Sequence, residues 1–146
     1  MTSIRILALG ALVAGAIGAQ GSLLIEIVEG GGAIHNVAAG KPVAPRVRVT
    51  DFAGRPVAFA AVTFTLPESG PGGTVAGGMR VSVATGDNGE ATVPALRLNG
   101  EVGAWTIHVE ASCRGRFART SIEQINAAPV EVYLARKPGA AIVARR

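Results

Sequence analysis

The chain has one cysteine, Cys113, among 146 residues, so no internal disulfide can brace it and the core must hold by packing alone. Aromatic residues make up 4%: one Trp, one Tyr and four Phe. That leaves few rings for the stacking platforms of nucleic-acid sites or of sugar sites. Histidine occurs twice, as His35 and His108, far apart and without the cysteine or carboxylate neighbours a metal needs; both are read as surface residues. Aspartate also occurs twice, as Asp51 and Asp87, each in a turn that accounts for it. There is no G-x-S-x-G elbow, no H-E-x-x-H pair and no phosphate-cradling G-x-x-x-x-G-K-[ST]. An enzyme is not expected, nor any cofactor or metal. The Asp87-Asn88-Gly89 run lacks the further oxygen ligands of a calcium loop.

Long apolar runs are missing too, apart from residues 6–17. Those 12 residues fall short of the ~20 that a spanning helix requires. They follow Arg5 and precede the small pair Gly18-Ala19, the pattern of a secretory signal peptide over residues 1–19. No transmembrane span is expected in the mature chain, which is placed outside the cell or on its surface. The formal charge of +4 is unevenly spread: Arg5, Arg136, Lys137, Arg145 and Arg146 lie at the ends, and residues 20–135 hold nine cations against ten anions. The basic pI therefore belongs to the tail, and a nucleic-acid partner is not expected.

What is abundant is turn chemistry and alternation. Gly and Pro number 20 and 8, which fits many short strands. The organising stretch is 45–66, PRVRVTDFAGRPVAFAAVTFTL. Val47 and Val49 alternate with arginine and threonine, and Val62, Phe64 and Leu66 alternate with threonine, so each run is a half-buried strand. Asp51, Gly54 and Pro56 supply the turn, and the unit reads as a hairpin. Around it, 23–28 reads as the first strand, 34–43 as an irregular connection or short edge strand, and 67–78 as a turn-rich loop. Residues 79–85 read as a strand with Val81 and Val83 inward. Residues 90–98 read as a strand whose phase slips at Pro94, and a β-bulge at Pro94-Ala95 would keep Ala91, Val93, Leu96 and Leu98 all inside. The cleanest alternation is Trp105, Ile107, Val109 and Ala111 against Thr106, His108, Glu110 and Ser112, which predicts a central strand. A last strand covers 117–125. Cys113 is expected at a strand end, the arginines 114, 116 and 119 on a solvated rim, and Phe59 or Phe117 in the core beside Phe64 and Trp105.

Three segments in order resemble the bacterial Ig-like domain of group one, the repeat of invasin and intimin adhesins: Val47-Arg-Val49-Thr-Asp51 through Gly54-Arg-Pro56-Val57 to Val62-Thr-Phe64, then Thr85-Gly-Asp-Asn-Gly89-Glu-Ala91, then Gly103-Ala-Trp105-Thr-Ile107-His-Val109. The resemblance implies an all-β, immunoglobulin-like sandwich of about seven strands in two antiparallel sheets over residues 20–126. Residues 127–146 form a basic tail in which 130–134 has the composition of one more short strand. Where that family has tyrosine, this chain has Trp105, so the corner hydrogen bond passes to the indole N–H or is lost. The expected function is an exported, non-enzymatic module for cell-surface adhesion or protein–protein contact. Two alternatives stand beside it: a carbohydrate or small-ligand module binding through its loops, and an envelope protein that self-associates by an unpaired edge strand.

Overall fold

The computed structural model describes residues 22–39 and 41–129; the proposed signal peptide and the 130–134 segment lie outside them. The described residues contain no helix, hence none long and apolar enough to cross a membrane. The fold is all-β. In chain order the strands are β1 (Leu24–Glu29), β2 (Ala33–Asn36), β3 (Arg46–Thr50), β4 (Ala61–Thr65), β5 (Gly73–Val75), β6 (Arg80–Ala84), β7 (Glu90–Thr92), β8 (Leu96–Leu98), β9 (Gly103–Cys113) and β10 (Arg116–Ala127).

Among the described residues, ten strands replace the expected seven, and they form three sheets instead of two. One has the order β2-β10-β9-β4-β6, one β1-β3-β7, and β5 pairs with β8. All neighbours are antiparallel except β2 and β10, which run parallel.

The organising stretch is not a hairpin. β3 and β4 lie in different sheets, and their buried residues meet in one core. Val47, Val49 and Ala91 from the three-stranded sheet join Val62, Phe64, Ile107, Val109, Ala111 and Ile122 from the five-stranded one. The turn itself is as expected: Asp51 Oδ1 accepts from the N–H of Ala53 and Arg55 at 2.9 and 3.0 Å, and Gly54 has φ +83°. What separates the strands is the stretch 57–60, where Phe59 takes φ +61° and carries the chain across the core. Most of the described buried side chains are valine, leucine and isoleucine, each contributing ~1.5–3 kcal/mol on burial; among the described residues the buried aromatics are Phe64 and Trp105.

The phase slip at Pro94 is real, but its cause is not a bulge. Residues 90–98 form two strands in different sheets, β7 on β3 and β8 on β5. Between them Ala95 turns at φ +49°, so Val93 and Leu96 both stay buried. The stretch 67–78 likewise holds β5, with Val75 in the core. Gly73 is needed there because a Cβ would stand 2.1 Å from the Arg97 carbonyl oxygen.

The outer face of the three-stranded sheet is charged and internally paired. Arg46 reaches Glu29 and Glu90, both at 3.1 Å, while Arg48 reaches Glu26 at 3.3 Å and Glu90 at 2.8 Å. The Arg48 hydrogen bond, with both guanidinium charges, lowers the Glu90 pKa below the ordinary glutamate value.

Candidate functional site

The outer face of the five-stranded sheet is built by the same alternation that fills the core. Along β9, Trp105, Ile107, Val109 and Ala111 point inward and His108, Glu110 and Ser112 point out. Register across the sheet then sets three rows: Thr65–His108–Ser121, Thr63–Glu110–Arg119 and Ala61–Ser112–Phe117. The first two rows and Arg80 line an open depression of about 600 Å³. Arg119 Nε is 2.7 Å from Glu110 Oε2. His108 stands between Thr65 and Ser121 without a hydrogen bond to either.

The third row floors two adjoining hollows. One, of about 360 Å³, is lined by Phe59, Ala61, Ser112, Cys113 and Arg114. The other, of about 290 Å³, shares Ala61 and Ser112 and is closed by Phe117 and Arg119. Small residues thus form a floor between two phenylalanine walls, with guanidinium groups beside them. Phe59 and Phe117 are 78% and 64% exposed, so neither serves the core as expected. Phe52, in the Asp51 turn, is 58% exposed.

Thr85 fixes the Phe59 wall. Its hydroxyl accepts from Ala60 N at 2.9 Å and donates to Val57 O at 2.6 Å. Its backbone N–H donates to Ala60 O and its carbonyl accepts from Phe59 N, at 2.9 and 3.0 Å. One buried residue therefore holds four groups of the stretch 57–60 and keeps a non-glycine residue at positive φ.

The other end of the domain is held by buried amides. Trp105 is 4% exposed and its Nε1–H donates to Asn126 Oδ1 at 2.9 Å, so the indole makes a hydrogen bond of its own. Asn126 Nδ2 donates to Gly72 O and Glu101 O at 3.2 and 3.0 Å. His35, expected on the surface, is 4% exposed. Its Nδ1 accepts from Val43 N at 3.4 Å, so Nε2 carries the proton and donates to Gln124 Oε1 at 3.0 Å, while Gln124 Nε2 donates to Gly30 O at 3.0 Å. Strand β2 is anchored this way, which explains the burial. His108 is exposed as expected. Cys113 is a free, half-buried thiol closing β9.

Of the rim arginines, Arg119 is ion-paired, while Arg114 and Arg116 have no carboxylate partner among the described residues. Among those residues no group of three or more His, Cys, Asp or Glu could hold a metal ion. No family model, curated protein or solved structure matches the chain.

Proposed function

We propose that this chain is an exported, non-enzymatic, immunoglobulin-like sandwich that presents the Phe59–Phe117 hollows for protein–protein contact at the cell surface. The observation that carries the reading is the pair of exposed phenylalanines beside Arg114 and Arg119, around a floor of Ala61 and Ser112. Exposed aromatic and arginine side chains are the types enriched where proteins meet. The immunoglobulin-like assignment is supported by the strand order. A five-stranded sheet and a three-stranded one share a core, and the first two strands divide between them, β1 antiparallel to β3 and β2 parallel to β10. Burial of Trp105 favours a scaffold over a sugar-binding module, because the largest ring is taken up by the core.

The test is capture from envelope fractions by the immobilised full chain, compared with Phe59→Ser and Phe117→Ser. Both variants should melt at the parent temperature, since neither ring is buried, and both should lose the captured protein. Capture unchanged by the double variant would refute the assignment of the contact to these hollows.

A further inference from the structure

The sheet edges are unequal in what they offer another chain. β1 carries Glu26 and Glu29 and a register shift between Ile27 and Glu29; β7 has three residues and is followed by Pro94; β2 has four and runs into a turn at 37–39. Charge, irregularity, brevity and proline are the usual protections of an edge. β6, Arg80–Ala84, has five residues in regular register with β4. It contains no proline, lysine or bulge.

The outward groups of β6 can be worked out from its ladder. Leu66 N donates to Met79 O at 2.8 Å and Thr85 N to Ala60 O at 2.9 Å, just outside the pairs Thr65–Arg80 and Ala61–Ala84. In an antiparallel ladder, pairs that exchange two hydrogen bonds alternate with pairs that exchange none. The bonded pairs are therefore Phe64–Val81 and Val62–Val83. It follows that the N–H and C=O groups of Arg80, Ser82 and Ala84 point to the open edge. They are evenly spaced about Ser82, and among the described residues β4 is the only strand that pairs with β6.

This edge is complementary to itself. We propose that two copies of the chain join antiparallel through β6, with Ser82 on the two-fold axis, into one continuous ten-stranded sheet. Ser82 then faces Ser82 of the second copy, Arg80 faces Ala84, and all six outward N–H groups find carbonyl partners. A shift by one pair in either direction strands part of that set. On the core side Val81 meets Val83 of the second copy; both are half-buried and packed against the core of their own chain, and their pairing removes more apolar surface from water. On the outer side each Arg80 lies beside an alanine. The two Arg80 residues are four positions apart, about 14 Å, beyond the ~8–10 Å reach of charge in physiological salt.

Cross-linking reads this register directly. In a Cys113→Ser background, Ser82→Cys places two thiols across the axis at a Cα separation of about 5.5 Å, inside the ~4.4–6.8 Å that a disulfide spans, whereas Arg80→Cys places them about 14 Å apart. Mild oxidation of the full chain should give a linked dimer from Ser82→Cys and none from Arg80→Cys. Sedimentation velocity of the parent chain should show dimer rising with concentration, and Ser82→Pro, which deletes one outward N–H at the axis, should lose it. Equal linking of both cysteine variants, or a monomer at every concentration, would overturn the proposal. So would a dimer that survives Ser82→Pro; if that variant does not fold, the cysteine pair alone decides.

Discussion

Replacing Asn126 by alanine removes the one side chain that ties Trp105 to two loops at the same end of the domain. Its Oδ1 accepts from the indole and its Nδ2 donates to the carbonyls of Gly72 and Glu101, so donor and acceptor ends are fixed by their partners. After the change the indole N–H is buried without a partner, while the Gly72 carbonyl keeps its bond from Asn99 N at 3.0 Å and the carbonyl of exposed Glu101 finds water. A buried group left unsatisfied costs ~1–3 kcal/mol, so the stranded indole N–H gives a loss of about 2 kcal/mol. That is a large part of the ~5–15 kcal/mol that holds an ordinary domain together. At ~4–8 °C per kcal/mol for a domain of this size, the midpoint falls by about 8–16 °C. Chemical denaturation followed by Trp105 emission measures it. A double-mutant cycle with Trp105→Phe isolates the bond: with the indole donor gone, Asn126→Ala should cost about 1–2 kcal/mol less. A loss under ~1 kcal/mol for Asn126→Ala, or no coupling with Trp105→Phe, would show that the amide does not anchor this end.

Two further outcomes follow from other parts of the fold. Thr85→Val keeps the shape and removes the hydroxyl that serves Ala60 N and Val57 O; it should cost ~1–3 kcal/mol, speed amide exchange at Phe59 and Ala60, and weaken capture at the Phe59 hollow. On acidification, Glu90 and Asp51 act in one direction. The Arg48 hydrogen bond lowers the first pKa from the ordinary 4.5, and the backbone hydrogen bond from Arg55 lowers the second from 3.8. A carboxyl whose pKa is lower folded than unfolded stabilises above the unfolded value, and that contribution disappears as pH falls through the folded one. Melting temperature should therefore be level near neutrality and decline below about pH 4, with a shallower decline in Glu90→Gln.

Which face a residue occupies was legible from the alternation; which sheet it belongs to was not. Val47, Val49, Val62, Phe64 and the Trp105–Ala111 set are all buried as their period requires. Period two, however, is the same for strands that pair and for strands that face each other across a core. The 45–66 stretch therefore looked like a hairpin, although β3 and β4 lie in different sheets. At 90–98 the slipped phase was visible, but a bulge and a change of sheet leave the same trace in the sequence. His35 has no such trace, because its burial depends on Gln124, 89 positions away.

The two phenylalanines are more instructive, since their placement was written in the alternation and overridden by their hydrophobicity. β4 buries Val62 and Phe64, and Ala60 continues that phase. Phe59 falls on the opposite phase, with Ala61 and the threonines. β10 buries Ile122, Gln124 and Asn126, which puts Phe117 in phase with Arg119, Ser121 and Glu123. Each ring thus forgoes most of the ~1.5–3 kcal/mol that burial within its own chain would supply. A partner that covered both would recover roughly 3–6 kcal/mol, less than the ~8 kcal/mol of a micromolar complex even before the cost of association. The hollows alone therefore cannot hold a partner at that affinity. Any tight contact must extend over the adjoining Thr63–Glu110–Arg119 row or engage Arg114, and charge reversal at Arg114 should weaken it in a salt-dependent way that Phe59→Ser does not.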